Sequence, residues 1–311
     1  MSRSLSQHAS LQGARIAVSG ATGLVGRTLS NRLMELGAET IRMSRSPSPS
    51  DERQVQWDPN QGLIQPEKLE GVTAVVHLAG EGIADGRWTE AKKQRIRDSR
   101  VVGTRSLCES LSKLTAKPQT LVCASAIGFY GDRGDERLDE ESSPGDGFLP
   151  EVCIGWEQAC DPARAAGIRV VNIRIGVIIS KDGGALAKML LPFQLGMGGK
   201  IGSGQQYMSW VALDDVVGAI VQGLTQSEMS GPVNAVSPNP VTNAEFTKTL
   251  GSVLHRPTIL PMPAFAAKLA LGQMAEDLLL ASTRVYPERL SQLAYRFAFA
   301  DLHACLSREV G

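Results

Sequence analysis

Three glycines, Gly20, Gly23 and Gly26, have the spacing of a loop that binds the pyrophosphate of a dinucleotide. They follow the apolar run Ile16–Val18 and precede a segment with leucines at helical spacing, so the pattern predicts a strand, a tight turn and a helix. Glycine permits the turn and lets backbone amides approach phosphate, and the helix N-terminus attracts negative charge. We therefore predict that the backbone of Gly20, Thr22, Gly23, Leu24, Val25 and Gly26 holds a nucleotide. The alternative is a purely structural turn.

A second group of polar residues, Ser44-Arg45-Ser46, follows the next predicted strand, Glu39–Met43. Sites that prefer NAD usually carry Asp or Glu here to bind the adenosine ribose, and neither residue occurs at this position. A guanidinium between two hydroxyls suits a 2′-phosphate, so we predict NADP(H) as the cofactor. The alternative is that Arg45 is a solvated loop arginine.

Several other residues admit a chemical and a structural interpretation. His77 lies in an apolar strand, where a core histidine is more common than a catalyst. Asp214 and Asp215 could serve acid–base chemistry or bind a metal, but an acidic pair at a helix start more often caps free amides. Cys153 is interpreted as a small buried residue and Glu157 as a solvated helix residue, with a buried acid as the alternative for Glu157.

Composition limits the classes of function. The chain has 311 residues, 42% hydrophobic and 21% charged, with 32 basic and 32 acidic residues. Zero net charge gives no argument for a nucleic acid or an acidic membrane surface as partner. The five cysteines form no C-x-x-C pair, so neither a disulfide framework nor a metal site is indicated. We expect a cytoplasmic protein, and the oligomeric state stays open.

Strand and helix patterns alternate along the chain and predict an α/β fold: a Rossmann-type, doubly wound parallel sheet with a small, mostly helical C-terminal cap. We predict a loose extension at 1–13, a nucleotide-binding domain at 14–255 and the helical region at 256–311. The expected elements include one helix near Glu151–Ala166, one strand over Ile168–Ile179, and a helix that opens with Trp210–Val216 and runs to about Leu224.

The motifs together resemble an atypical extended short-chain dehydrogenase/reductase, in the NAD-dependent epimerase-like branch that carries a C-terminal DUF1731 domain. The resemblance covers essentially residues 14 to 305. Besides the three glycines, the segments that carry it are His77–Glu81, Ser125–Gly131, Arg174–Val177, Leu191–Gly204, Trp210–Asp215, Asn243–Phe246 and Arg284–Pro287.

The resemblance implies further cofactor contacts. Leu78 and Ala79, with Gly80 and Glu81 behind them, would line the adenine and ribose side. Arg100 would reach the cofactor from the following helix, although a solvated helix arginine is the alternative. The nicotinamide end would contact Val177 and Ile178.

The sequence departs from the family at the catalytic motif Tyr-x-x-x-Lys, in which lysine lowers the pKa of the phenol. Its four tyrosines, at 130, 207, 286 and 295, are followed four places later by Gly134, Val211, Leu290 and Phe299. Ser125 and Tyr130 remain the candidates for catalysis, with Ser125 one place from the usual serine position. We therefore expect an oxidoreductase or epimerase-like enzyme with a small polar substrate, or, alternatively, a non-catalytic NADP(H) sensor.

Overall fold

A computed structural model describes residues 11–48, 51 and 53–311 of the chain, so most of the predicted extension at 1–13 lies outside the described residues. Its main feature is an eight-stranded sheet in the order β12-β8-β6-β5-β1-β2-β3-β4. Seven of these strands are parallel and only β4 is antiparallel to its neighbour. The strands are β1 (Arg15–Ser19), β2 (Glu39–Ser44), β3 (Gln54–Asp58), β4 (Gly62–Leu63), β5 (Ala74–His77), β6 (Thr120–Ala126), β7 (Arg137–Leu138), β8 (Arg169–Ile175), β9 (Val177–Ile179), β10 (Tyr207–Met208), β11 (Trp210–Ala212), β12 (Gly231–Ala235), β13 (Val241–Thr242) and β14 (Arg284–Val285).

Helices cover both faces of the sheet, and the central strands β1, β5 and β6 are accordingly buried on both sides. One core joins Ile16 and Val18 to α1, α6 and α10, and a second joins Ala17 and Val75 to α2, α3 and α4. The helices are α1 (Leu24–Glu35), α2 (Glu90–Ser112), α3 (Phe148–Gln158), α4 (Asp161–Ala165), α5 (Gly184–Gln194), α6 (Leu213–Thr225), α7 (Asn243–Leu254), α8 (Ala264–Leu271), α9 (Gln273–Ala275), α10 (Glu288–Gln292) and α11 (Leu302–Val310).

The doubly wound fold predicted from the sequence is confirmed. After β1 the chain builds β2 and β3 on one side and then crosses to β5, β6, β8 and β12 on the other. The order reverses between β1 and β5, and ligands of open α/β sheets bind in the crevice at such a reversal. In the described part of the chain, no helix is both long and apolar enough to cross a membrane.

Three predicted elements were wrong in detail. The single helix expected near Glu151–Ala166 is divided into two helices, α3 and α4. The second helix, α4, begins at Asp161, directly before Pro162. The single strand expected over Ile168–Ile179 breaks at Gly176, where a Cβ would lie 2.8 Å from a Val236 methyl group. Trp210–Ala212 is a strand that pairs with β9, and the helix begins only at Leu213.

The C-terminal region is mostly helical and is joined to the sheet domain. Strand β14 pairs with β7, and Leu290 belongs to the core beneath α1 and α6. A third core lies between α5, α7 and α11 and contains Trp210, Phe246 and Leu306. The region therefore shares its hydrophobic contacts with the sheet domain instead of forming a core of its own.

Candidate cofactor cleft and active site

A cleft of about 530 Å³ opens at the carboxyl ends of β1, β2 and β5, where the strand order reverses. It brings together the glycine turn, the end of β2 and the end of β5, three segments that the sequence analysis assigned to one cofactor. The lining residues are Gly20, Ala21, Thr22, Gly23, Arg42, Met43, Ser44, Arg45, Ser46, Gln54, Trp57, Pro59, Leu78, Ala79, Gly80, Glu81 and Ser99.

The turn after β1 requires glycine at two places. Gly20 has φ +67°, and a Cβ there would lie 2.8 Å from the Leu78 carbonyl carbon. A Cβ on Gly26 would overlap the carbonyl oxygen of Gly20, so glycine lets α1 start directly behind the strand. Gly23 is the N-cap of α1 and offers no side chain to the free amides. The N-terminus of α1 therefore lies at the cleft with no side chain capping its first N–H groups, an arrangement that suits an anion.

Ser19 and His77 fix the neighbouring end of β5. Ser19 Oγ accepts hydrogen bonds from the backbone amides of Leu78 at 3.1 Å and Ala79 at 3.3 Å, and lies 2.6 Å from His77 Nδ1. The serine hydroxyl therefore donates to Nδ1, which makes His77 the neutral Nε2–H tautomer. Burial lowers the pKa of His77 to about 4. His77 is thus a buried, uncharged core residue that helps to hold Leu78 and Ala79 at the cleft.

Arg45 lines the cleft between Ser44 and Ser46. The Ser46 amide donates to Ser44 Oγ at 3.2 Å, which closes a short turn around the arginine. Among the described residues no acidic side chain forms an ion pair with Arg45, whereas the nearby Arg42 pairs with Asp51 at 2.8 Å. Arg42 and Trp57 also line the cleft and were missed, because the sequence shows which strand a residue belongs to but not that its side chain borders a ligand.

Arg100 is held against the strand end and is not a solvated helix residue. Its Nη1 donates to the carbonyl oxygens of Glu81 at 3.0 Å and Ile96 at 3.2 Å, and its guanidinium lies 4.9 Å from the Trp156 ring centroid. Its Cζ lies 3.4 Å from where a Cβ on Gly80 would be. Arg100 thus lies beside Gly80, which lines the cleft, and its own contact with a cofactor stays a prediction.

The carboxylate of Glu81, a residue that lines the cleft, forms salt bridges. Its carboxylate pairs with Lys92 at 2.7 Å and with Arg95 at 3.6 Å, and the hydrogen bond from Lys92 lowers its pKa. Its carboxylate thus stabilises the loop after β5. Its backbone and that of Gly80 remain at the cleft.

The two catalytic candidates belong to one buried polar network. Ser125 Oγ donates to Glu157 Oε1 at 2.7 Å, and Arg174 binds both Glu157 oxygens, at 2.8 and 2.9 Å. Arg174 Nη1 donates to the Tyr130 hydroxyl at 2.9 Å, and that hydroxyl donates to Asn234 Oδ1 at 2.8 Å. Arg174 also stacks 3.5 Å from the Phe129 ring centroid. Every polar atom of the network therefore has a defined partner.

This network changes the interpretation of two residues. Tyr130 is fully buried, and burial raises the pKa of its phenol to about 12, so the structure does not support it as a proton donor. Glu157 was expected on a solvated helix face, but its side chain is only 14% exposed and is paired with Arg174. The sequence analysis did not identify Arg174 and Asn234 as members of this network. They are 44 and 104 residues away from Tyr130 in the sequence, so they meet it only in the folded chain.

The comparisons with known proteins agree with this geometry. A family model described as the NAD dependent epimerase/dehydratase family matches residues 16–235, which is more than half of the chain. The chain belongs to this family. A second model, a domain of unknown function named DUF1731, matches residues 262–309.

Relatives of similar length cover almost the whole chain. An epimerase family protein of Mycobacterium bovis is 41% identical over 282 residues, 91% of this chain and 93% of the relative. The crystal structure of the human epimerase family protein SDR39U1 with NADPH matches with a TM-score of 0.86 and 32% identity, over 95% and 98% of the two chains. The crystal structure of a nucleoside-diphosphate sugar epimerase from Corynebacterium glutamicum matches with a TM-score of 0.80 and 39% identity. The match covers 96% of this chain and 59% of the other, longer chain.

Val177 and Ile178, implied as contacts of the nicotinamide end, do not line the 530 Å³ cleft. They follow the break at Gly176 and form β9, which pairs with β11. Both side chains are half-buried. Their contact with a cofactor stays a prediction.

The remaining acidic and thiol candidates have structural roles. Asp215 does not cap the start of α6. It accepts hydrogen bonds from the amides of Ala298 at 2.7 Å and Phe299 at 3.1 Å, while Asp214 pairs with Arg308. Burial raises the pKa of the Cys153 thiol to about 12, so it is not a thiolate. Within the described ranges, no cluster of His, Cys, Asp or Glu could hold a metal ion.

Proposed function

We propose that this member of the epimerase/dehydratase family is an NADP(H)-dependent oxidoreductase or epimerase-like enzyme that acts on a small polar substrate. The observation that carries the proposal is the cleft of about 530 Å³, which is lined both by the residues at the uncapped N-terminus of α1 and by Arg45. The human relative crystallised with NADPH supports the choice of cofactor.

The residues present fit a dinucleotide phosphate. The free amides at the start of α1 donate to a pyrophosphate, and the positive end of the helix dipole favours its charge. Ser44, Arg45 and Ser46 supply a guanidinium and two hydroxyls for a 2′-phosphate. Arg100 and the segment after β5, Leu78–Gly80, would lie on the adenosine side of the bound cofactor.

Proton transfer is the step for which the chain lacks the usual groups. NADP(H), when bound, supplies or accepts a hydride. Ser125 donates a hydrogen bond to Glu157 and is buried, so we assign it a positioning role. Tyr130 acts through Arg174 as a positioning residue, since its hydroxyl is enclosed. The proton therefore moves through a group other than a lysine-activated tyrosine, such as one that the substrate brings.

A second candidate function is a non-catalytic NADP(H) sensor. The enclosed Ser125 and Tyr130 hydroxyls favour it, because a binding protein needs no proton donor.

We assign either protein to the cytoplasm because all five cysteines are free and buried, as expected in a reducing compartment. A nucleic acid is not expected as partner.

The cofactor is tested by calorimetry with NADPH and NADH on the wild type and on Arg45→Ala. Loss of a charge-assisted contact should weaken NADPH binding about 10- to 100-fold and leave NADH binding unchanged. The matched control is Arg53→Ala, a nearby exposed arginine outside the cleft lining, which should bind NADPH like the wild type. Equal NADPH affinity in all three proteins would contradict the assignment of Arg45.

Turnover separates the two functions. Purified protein is mixed with NADPH and a panel of small carbonyl and hydroxyl metabolites, and the loss of reduced-nicotinamide absorbance is followed. Turnover that falls in Ser125→Ala supports the enzyme. Tight NADPH binding without turnover across the panel supports the sensor, and absence of binding to either dinucleotide phosphate overturns both.

A further inference from the structure

The exposed apolar side chains of this protein are unevenly distributed. Eleven large hydrophobic residues are exposed in the described chain, and eight of them fall within residues 191–197 and 259–269. We call these eight the apolar patch. They are Leu191, Leu195, Met197, Ile259, Leu260, Met262, Phe265 and Leu269.

The backbone holds the two segments of the apolar patch side by side. The amide of Met262 donates to the carbonyl oxygen of Lys200, and the amide of Gly202 donates to that of Met262, each at 2.9 Å. Arg256 Nε donates to the Gln194 carbonyl oxygen at 2.8 Å, which ties the end of α5 to the segment before Ile259. In α8, Phe265 and Leu269 are four residues apart and lie on one side, 73% and 76% exposed.

Basic residues predominate in the segments that carry the apolar patch. Residues 183–204 and 246–275 contain five lysines and arginines and no aspartate or glutamate, although the whole chain has zero net charge. Acidic residues from elsewhere pair with two of these cations: Asp85 with Lys188 and Glu276 with Lys268. Lys200, Lys248 and Arg256 form no ion pair within the described residues.

We propose that the apolar patch binds the surface of an anionic lipid bilayer. Exposed leucine, phenylalanine and methionine next to unpaired cations match the acyl and headgroup layers of such a surface, into which apolar faces enter about 5–10 Å. A second copy of the chain fits less well, because it would bring the same cations into contact. The zero net charge of the chain conceals this local arrangement.

The test is sedimentation of the full chain with vesicles of phosphatidylcholine alone and of phosphatidylcholine with phosphatidylglycerol. The wild type should bind the anionic vesicles and lose binding as salt is raised. The double variant Phe265→Ser with Leu269→Ser should bind at least about tenfold more weakly. Lys200→Gln with Arg256→Gln should lower binding to anionic vesicles in the same direction. Met34→Ser, which removes a 69% exposed residue on α1, is the matched control and should bind like the wild type.

Several results would overturn the proposal. They are no binding to anionic vesicles, equal binding to both vesicle types, and equal loss in Met34→Ser. A dimer in solution that dissociates in the Phe265/Leu269 variant, without vesicle binding, would assign the apolar patch to a second copy. NADPH affinity is measured on every variant and should not change, so the result is independent of the proposed function.

Discussion

At the residue scale, the carboxylate of Glu157 organises the buried network beside the sheet. Glu157 forms a bidentate ion pair with Arg174, whose side chain is 4% exposed. Glu157 also accepts a hydrogen bond from the Ser125 hydroxyl. A buried carboxylate bound on both oxygens is an anchor for neighbouring groups. The network therefore fixes the positions of Ser125 and Tyr130, and neither hydroxyl is free to supply a proton to solvent.

We predict that Glu157→Gln destabilises the protein by about 3 kcal/mol, because it leaves the Arg174 charge buried without its counter-ion. The free energy of unfolding in urea measures this. Glu151→Gln, on an exposed position of the same helix, should change it by less than about 0.5 kcal/mol. Adding Arg174→Met to Glu157→Gln should recover part of the loss. If Glu157→Gln and Glu151→Gln have the same stability, the pair contributes nothing measurable.

His77 should make the stability depend on pH. Its pKa is about 4 in the folded protein and 6.5 in the reference state, so between these values the unfolded chain binds the extra proton. The contribution of neutral His77 is complete above about pH 6.5 and is lost as the pH falls towards 4, to a total of about 3 kcal/mol.

Urea unfolding at pH 4.5 and 7 checks this contribution by comparing variants. His77→Gln should lose less stability than the wild type between pH 7 and pH 4.5. His303→Gln, which removes an exposed histidine, should follow the wild type. Parallel pH profiles for all three proteins would show that His77 does not titrate in this range.

At the scale of elements, the sequence predicted strands and helices well where a periodic pattern was long. The glycine turn and α1 have the predicted places because the glycine and leucine spacings are local signals. Trp210–Ala212 was assigned to a helix, although its backbone pairs with Val177–Ile179, 33 residues earlier. Such pairings, like the Glu157–Arg174 contact, depend on long-range geometry that local patterns do not contain.

The start of α6 illustrates how one acidic pair serves two different contacts. Asp215 receives two backbone amides and the Tyr295 hydroxyl, whereas Asp214 forms an exposed ion pair with Arg308. We predict that Asp215→Ala costs about 2–3 kcal/mol, because the amides of Ala298 and Phe299 lose a charged acceptor. Asp214→Ala should cost less than about 1 kcal/mol.

Hydrogen exchange at residues 294–301 distinguishes the two variants. Exchange should become faster in Asp215→Ala and stay near that of the wild type in Asp214→Ala. Similar protection in both variants would mean that the segment is held by its apolar contacts alone.

At the scale of the whole molecule, the cofactor cleft and the apolar patch belong to different parts of the structure. The cleft lies at the reversal of the sheet and its residues come from positions 20–99. The apolar patch is formed by α5, α8 and the segments beside them. Lys188 on α5 donates to Asp85 and to the Ala84 carbonyl oxygen, in the loop that follows β5. This contact provides a physical connection between the two surfaces.

The extent to which the C-terminal region stabilises the rest can be tested by ending the chain after residue 255. If the C-terminal region were a separate cap, its removal would leave the sheet domain folded and would only weaken ligand binding. Here Val285, Leu290, Leu302 and Leu306 are buried in cores shared with the sheet domain. Their removal uncovers several large apolar contacts, each worth about 1.5–3 kcal/mol, against a total stability of about 5–15 kcal/mol. We therefore expect the shortened chain to lose near-UV circular dichroism and to bind a hydrophobic dye. A sharp, single urea transition in the shortened chain would instead show that residues 11–255 fold independently.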